Sequence, residues 1–225
     1  MANSTPRLDV KKTYKLFIGG AFPRSESGRT YEVKSAKGTF IANPSLASRK
    51  DLRDAVVAAR AAHSGWSSAT AFNRGQILYR IAEMMEGRTS QFIDEIVALE
   101  VVTPPAAKKQ VEEAIDLWVW YSGWCDKIGA IYGSTNAVSG SFYNFTTPES
   151  LGVVATFAPA KQSLLGAVQA LAPILAGGNT AILIASEKYP LPAISLSEVI
   201  GTSDVPGGVV NILTGSSAEL APWIG

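Results

Sequence analysis

The sequence predicts an α/β chain: a parallel sheet flanked by helices, preceded by a helical segment and a β arm. Three observations carry this. From residue 151 onward, short apolar runs are separated by single helical stretches, which is the pattern of parallel βαβ units. Between about residues 48 and 128 the apolar positions recur at helical spacing. Between the two regions, residues 137–147 (AVSGSFYNFTT) alternate as a hairpin or exposed arm would, rich in aromatic and hydroxyl side chains.

Taken in order, residues 14–33 read as two short strands around a polar turn carrying Pro23, Ser25 and Gly28, leading to a turn signal at Asn43-Pro44. A helix at 48–64 follows. Ser48 or Asp51 caps its start, and Leu52, Ala55, Val56, Ala59 and Ala62 share a face. Helices are expected at 71–87 (Ile77, Leu78, Ile81, Ala82, Met85) and at 89–100 (Phe92, Ile93, Ile96, Val97). Pro104-Pro105 breaks the chain, because a residue before proline is pushed out of the helical region. A long helix at 106–128 then places Val111, Ile115, Trp118, Ser122 and Cys125 on one stripe. Beyond the arm come strand 151–157, helix 164–176, strand 180–184, helix 190–200 and strand 208–213. Gly177-Gly178-Asn179 ends a helix as a C-cap and turn. This organisation gives one structural domain in two parts. Residues 1–148 hold the hairpin, helices and β arm (136–148), and 149–225 a partial βαβαβ unit.

Composition narrows the function. The 225 residues carry a net charge of +1, and the lysine pairs Lys11-Lys12 and Lys108-Lys109 are scattered, so nothing tracks a nucleic-acid backbone. The single cysteine, Cys125, excludes an intramolecular disulfide and fits a reducing compartment. MANSTPRLDVKK lacks the apolar stretch of a secretory signal, and no run approaches the roughly 18 apolar residues of a membrane helix. A soluble cytoplasmic protein is expected. His63 and Cys125 are far apart and form no zinc ligand set. His63, near the end of its predicted helix, reads as a surface or capping residue, and Cys125 as a core thiol with no neighbour to activate it. Neither a G-x-S-x-G elbow nor a P-loop occurs.

In an open parallel sheet, ligands sit beyond the carboxyl ends of the strands. Three loops should therefore line one crevice: Ala158-Pro159-Ala160-Lys161-Gln162, Ala185-Ser186-Glu187-Lys188 and Thr214-Gly215-Ser216-Ser217. No G-x-G-x-x-G fingerprint lies among them. The stretch PESLGVVATFAPAKQSLLGAVQALAPILAGGNTAILIASEKYPLPAISLSEVI, followed by DVPGGVVNILTG, resembles the cofactor-binding segment of the aldehyde dehydrogenase superfamily. There "GV…PWNFP" precedes an apolar helix, "L-x-x-GN", "LKPSE" and "PxGVxNxxxG". Upstream, NPSLASRKDLRDAVVAARAAHSGWSS and RGQILYRIAEMMEGR resemble the family's N-terminal helices, so the likeness covers nearly the whole chain.

The resemblance implies an aldehyde-dehydrogenase-like, Rossmann-type sheet and a crevice for NAD or NADP formed by Ala158, Pro159, Ala160, Lys161, Ser186, Glu187 and Gly215. Gly178 and Asn179 keep the helix-to-strand turn. Glu187 stands where the family places a carboxylate near the adenosine ribose, and Gly215 where a glycine lets the next helix approach the adenine. Other positions depart. Lys161 replaces the Asn that helps hold the aldehyde oxyanion, and Ala160, Gln162 and Ser163 replace Trp, Phe and Pro. Ile184 and Ala185 replace the Lys and Pro of "LKPSE". An alkyl group cannot donate to ribose hydroxyls, and a lost charge-assisted bond costs roughly 1.5–3 kcal/mol, on the order of tenfold to a hundredfold in affinity.

The family's "ELGGK" and "GQxC" motifs, which supply general base and nucleophile, do not occur, so no catalytic residue is assigned. The resemblance implies a non-catalytic subunit or domain, docking through the arm to a second copy or to a catalytically competent aldehyde dehydrogenase. The alternatives are a fragment or complementing half of an active NAD(P)-dependent enzyme, and a nucleotide-binding or structural interaction module. An uncovered apolar surface favours a homo- or hetero-oligomer.

Overall fold

A computed structural model describes residue 8 and residues 10–224. Two small strands, β1 (Val33–Lys34) and β2 (Phe40–Ala42), pair antiparallel. Four helices follow: α1 (Arg49–Ser68), α2 (Ala71–Glu86), α3 (Thr89–Leu99) and α4 (Pro104–Ser122), then the short α5 (Ile128–Tyr132). A second antiparallel pair, β3 (Ser134–Asn136) and β4 (Asn144–Thr146), forms the arm. The rest is βαβαβ: β5 (Val153–Phe157), α6 (Ser163–Ala176), β6 (Thr180–Ile184), α7 (Leu191–Ile200) and β7 (Val210–Leu213), ending in the single turn α8 (Ser217–Leu220).

The helices start where their sequences permit. Ser48 caps α1 in a capping box: its side chain accepts from the Asp51 N–H, and Asp51 Oδ2 accepts from the Ser48 N–H at 2.8 Å. Thr70 and Thr103 cap α2 and α4 through their hydroxyls, and α4 opens on Pro104-Pro105, whose absent N–H groups are not needed there. At the other end of α6, Gly178 adopts φ +77°, and the Asn179 side-chain oxygen accepts from the Leu151 and Gly152 N–H groups at 2.6 and 3.0 Å. That clamp fixes the entry to β5 against the entry to β6.

The parallel sheet has the order β5-β6-β7, with β6 buried along its whole length. Its side chains divide by parity. Ala181 and Leu183 join the large core shared with α2, α3, α4, α6 and α7, whereas Ile182 and Ile184 join a second cluster with Leu52, Ala55 and Ala59 of α1. The result is a central strand covered on both faces, while the edge strand β5 stays half-exposed. Full burial of each such aliphatic side chain contributes about 1.5–3 kcal/mol.

The amino-terminal segment departs from the expected strand pair. The chain reverses at Gly19-Gly20, both at positive φ, so that Ile18 bridges Ala21. Phe17 exchanges backbone hydrogen bonds with Ile212 at 2.9 and 2.8 Å, thereby extending the sheet beyond β7. Two adjacent glycines add a reversal ahead of the expected turn, which also forms, the Gly28 N–H donating to Ser25 O at 2.9 Å. The fourth helix is also shorter than its periodicity implied. It stops at Ser122 with Gly123 as its cap, and Cys125 lies in the turn that follows. α1 instead runs on to Ser68, so His63 sits inside it rather than at its end, with Nε2 hydrogen-bonded to Ser150 Oγ at 2.9 Å.

Away from the strand ends, Glu95 of α3 is buried beside α7. Its Oε1 accepts from Ser195 Oγ (2.7 Å), Tyr14 Oη (3.2 Å) and Gln91 Nε2 (3.4 Å), with Lys12 Nζ at 3.8 Å. Lys12 also pairs with Glu198, which Arg88 shares. Glu95 Oε2 is buried without a partner. Burial therefore raises the carboxyl above its ordinary range, and the Ser195 bond and the Lys12 charge offset only part of that. A folded-state value above the unfolded one gives stability that is present at low pH and lost as pH rises through the raised value. We expect wild-type melting temperature to fall relative to Glu95→Gln as pH increases upward from about 4.3, the ordinary glutamate value. The variant is also expected to melt higher at neutral pH. Parallel pH profiles in calorimetric melts would show that Glu95 titrates normally.

Candidate functional site

The sheet register brings the three strand ends level. Phe157, Ile184 and Leu213 are direct neighbours, and the ladder continues one step further, the Ala158 N–H donating to Ile184 O and the Ala185 N–H to Leu213 O, both at 2.8 Å. Neighbouring strands lie about 4.8 Å apart, so the loops leave side by side. Of the residues expected there, Ala158 is half-buried, Pro159, Ala160 and Lys161 are exposed, Ser186 and Gly215 are buried, and Glu187 is exposed. They line an open shelf. A surface groove of about 880 Å³ lies elsewhere, between α2, the α4–α5 turn and Asp204, and includes none of them.

The first loop is held from beneath. The Pro159 ring rests on the first turn of α6 where a side chain at Gly166 would collide with it. Gln162 turns the chain into the helix at φ +53°, a left-handed conformation uncommon for a residue with a side chain. It is kept there by Glu100, which stands just beyond α3 and is buried. Glu100 Oε2 accepts from the Gln162 N–H at 3.2 Å, and Oε1 accepts from the Ser163 N–H at 2.9 Å and from Ser163 Oγ at 2.7 Å. Gln110 of α4 takes the next two donors, Leu164 N–H and Leu165 N–H, at 3.3 and 3.5 Å.

These contacts change one expectation. Free backbone donors at helix starts would suit an anionic ligand. At α6 they are already committed to a carboxylate and an amide of the protein itself. Sequence patterning did not single out Glu100 or Gln110, since a cap delivered from another element leaves no local spacing to read.

The second and third loops are shaped for a different task. Ser186 Oγ accepts from the Tyr189 N–H at 3.2 Å and tightens the turn that presents Glu187. Glu187 has no hydrogen bond or ion pair among the described residues. Gly215 adopts φ +143° with Leu46 and the Ala47 backbone so close that a side chain would crowd them. The Ala47 N–H donates to Thr214 O at 2.8 Å, and Thr214 Oγ1 donates to Ser45 O at 2.6 Å, so segment 45–47 forms one wall of this corner. Glu187 is left exposed on the loop after β6, and Gly215 floors the corner against Leu46 and Ala47. Ile184 does not add to it. It is fully buried in the α1-side cluster with Leu16, Ala47 and Leu52.

Cys125 is buried, its thiol is pushed up to about 11 chiefly by burial, and Sγ donates to Tyr121 O at 3.4 Å. That is an inert thiol, because nucleophilic attack requires the thiolate. Among the described residues there is no group of three His, Cys, Asp or Glu side chains able to hold a metal, and no helix long and apolar enough to cross a membrane.

Comparison with known proteins places this geometry. The model of the Aldehyde dehydrogenase family matches residues 22–224. The chain is 33% identical over 221 residues to cytosolic 10-formyltetrahydrofolate dehydrogenase of Mus musculus, covering 94% of this chain and 24% of that one. It is 33% identical over 235 residues to retinal dehydrogenase 2 of Homo sapiens, covering 100% of this chain and 44% of that one. An NAD+ complex of aldehyde dehydrogenase from Bacillus cereus superposes with a TM-score of 0.90 at 26% identity, covering 95% of this chain and 44% of that one. The chain thus spans less than half the length of these relatives.

The shared cap gives a test of how the first loop is held. Glu100→Ala leaves three donors at the start of α6 unpaired in a buried setting, and we expect a loss of about 3 kcal/mol in denaturant unfolding. Glu100→Gln, which retains one acceptor, should lose less. Equal stability of Glu100→Ala and wild type would mean that water replaces the carboxylate at no cost.

Proposed function

The chain belongs to the aldehyde dehydrogenase family, and we propose that it supplies the NAD(P) side of an aldehyde-oxidising architecture without performing the oxidation within these 225 residues. The observation that carries this reading is the split character of the shelf. The positions suited to adenosine, Glu187 and Gly215, keep a usable carboxylate and a close backbone. The position that would steady an aldehyde oxyanion holds Lys161, exposed and without a hydrogen bond or ion pair among the described residues. The one cysteine of the sequence is buried and protonated at neutral pH.

The group implied by the family is NAD or NADP, which supplies the hydride acceptor when bound. On the chain's side, Glu187 would accept from the adenosine ribose hydroxyls, Gly215 would let the adenine lie against the 45–47 wall, and Ala158 to Lys161 would edge the crevice. Ser186 holds the turn that carries Glu187. Affinity is reduced, because Ile184 points into the core where the family places a ribose-binding lysine. Oxidation then falls to a competent partner, a second polypeptide or a further part of a longer one. The chain spans 24–44% of these relatives, and a fragment or complementing half of an active NAD(P)-dependent enzyme is the second reading.

The surface for such association is the β3–β4 arm. Phe142, Tyr143 and Phe145 on it are 78, 77 and 57% exposed, and Tyr143 and Phe145 stack with ring centroids 5.2 Å apart. Clustered aromatic side chains left in water mark a contact surface.

Two experiments test these readings. Calorimetric titration should give measurable but weak NAD or NADP binding, strengthened about tenfold to a hundredfold in a folded Ile184→Lys variant. Absence of binding at millimolar cofactor in both proteins would remove the nucleotide role. In sedimentation, deletion of residues 137–147 should convert an assembled chain to monomer. An unchanged mass would move the interface elsewhere.

A further inference from the structure

The helical spacing that buries one stripe of α4 leaves a second face outside the core. Glu113, Asp116, Leu117 and Trp120 stand at i, i+3, i+4 and i+7, so they share that face. With Leu165 and Gln169 of α6 they line a groove of about 410 Å³ between the two helices. Its floor is apolar, since Leu165 is buried and Leu117 packs against the main core. Trp120 forms a wall, 61% exposed, with its ring centroid 6.1 Å from that of Trp124. The polar groups are two carboxylates and one amide, and no lysine or arginine lines the groove. None of the residues of the three strand-end loops takes part.

Charge along this face is unbalanced. Glu112 and Glu113 each meet a lysine one turn earlier, Lys108 at 3.6 Å and Lys109 at 3.7 Å. Asp116 has no hydrogen bond or ion pair among the described residues. It also lies one turn from both glutamates, where like charges repel. A cation at Asp116 relieves that repulsion. An indole face attracts an ammonium head, and the leucine floor accepts an alkyl stem, the mixture of apolar surface and few polar groups that suits a small ligand. An anion would meet the same carboxylates as repulsion.

We propose that this groove binds a small organic cation, an alkylammonium whose head meets Trp120 and Asp116 and whose stem lies on Leu117 and Leu165. Glu113 contributes less, because Lys109 already pairs with it. The site stands apart from the nucleotide shelf, and its occupancy does not require NAD.

The probe is butylammonium chloride, titrated into the full 225-residue chain against sodium chloride at equal ionic strength. Nitrogen-15 NMR of indole-labelled tryptophan locates the probe, with the Trp120 signal assigned through Trp120→Leu. Relaxation of the probe's methyl protons gives the affinity in every variant. Saturable movement of the Trp120 signal is expected, with a dissociation constant on the order of millimolar, because exposed cation–π and ion-pair contacts are weak. Asp116→Asn and Trp120→Leu should each weaken binding about twofold to fivefold. Both side chains are exposed, so both variants should melt close to wild type. Asp126→Asn, which removes an acid outside the groove, should leave binding unchanged. Butanol, with the same stem and no charge, should bind more weakly than the cation. A Trp120 signal that does not saturate, equal binding of butanol, or a loss in Asp126→Asn as large as that in Asp116→Asn would each overturn the assignment.

Discussion

Everything at the strand ends depends on β6 being covered on both faces. A parallel strand buried on one face only would leave the other to water, and three strands are too few for a partial solution. The parity of β6 therefore assigns Ala181 and Leu183 to one helix layer and Ile182 and Ile184 to the other. Once both layers are in place, the register to β5 and β7 is locked, because a slip of one residue would exchange the two faces. The three loops are level for that reason, and the shelf exists before any ligand-facing residue is considered.

Two buried glutamates show how the same chemistry is resolved in opposite ways. Glu100 meets three donors at a helix start, where the peptide dipoles also favour negative charge. Glu95 has one oxygen crowded by three donors and the other with none. The first arrangement makes a structural anchor for the loop that begins the shelf. The second disfavours the charged form and sits far from the strand ends, where it ties the amino-terminal segment to α3 and α7. Burial alone thus does not mark a functional carboxylate. What surrounds both oxygens does.

Much of the architecture was legible in the residues. Thr180 to Ile184 forms a strand with the bounds that its uninterrupted apolar run suggested, and Ser48 caps α1 as its spacing with Asp51 required. The misses have a common physical origin. Phe17 pairs with Ile212, 195 positions away. Glu100 caps a helix 63 residues downstream, and Tyr31 pairs through its backbone with Pro44. Each is a contact between distant segments, for which the sequence carries residue type but no spacing. The level loops were anticipated by the general rule for parallel sheets. The occupation of the α6 start was not, since only tertiary approach reveals it.

Ile184 shows how packing and the strand end meet in one residue. The residue closes β6 with its side chain on the α1 face. A lysine there would need to lay its alkyl stem along Leu16 and Leu52 and extend its ammonium past the strand end to reach solvent. Isoleucine keeps the stem's packing and omits the charge, so the core gains a compact β-branched residue and the shelf loses a donor. Nothing in the sheet resists that exchange, because register and burial are served equally well by either residue. Lys161 is the converse case. On an exposed loop it affects no packing, so the substitution is neutral to the fold and matters only to whatever lies over the shelf. The positive φ at Gly215 and the capping of α6 are features in which backbone geometry itself shapes the shelf. The shelf is thus made mostly by the sheet itself.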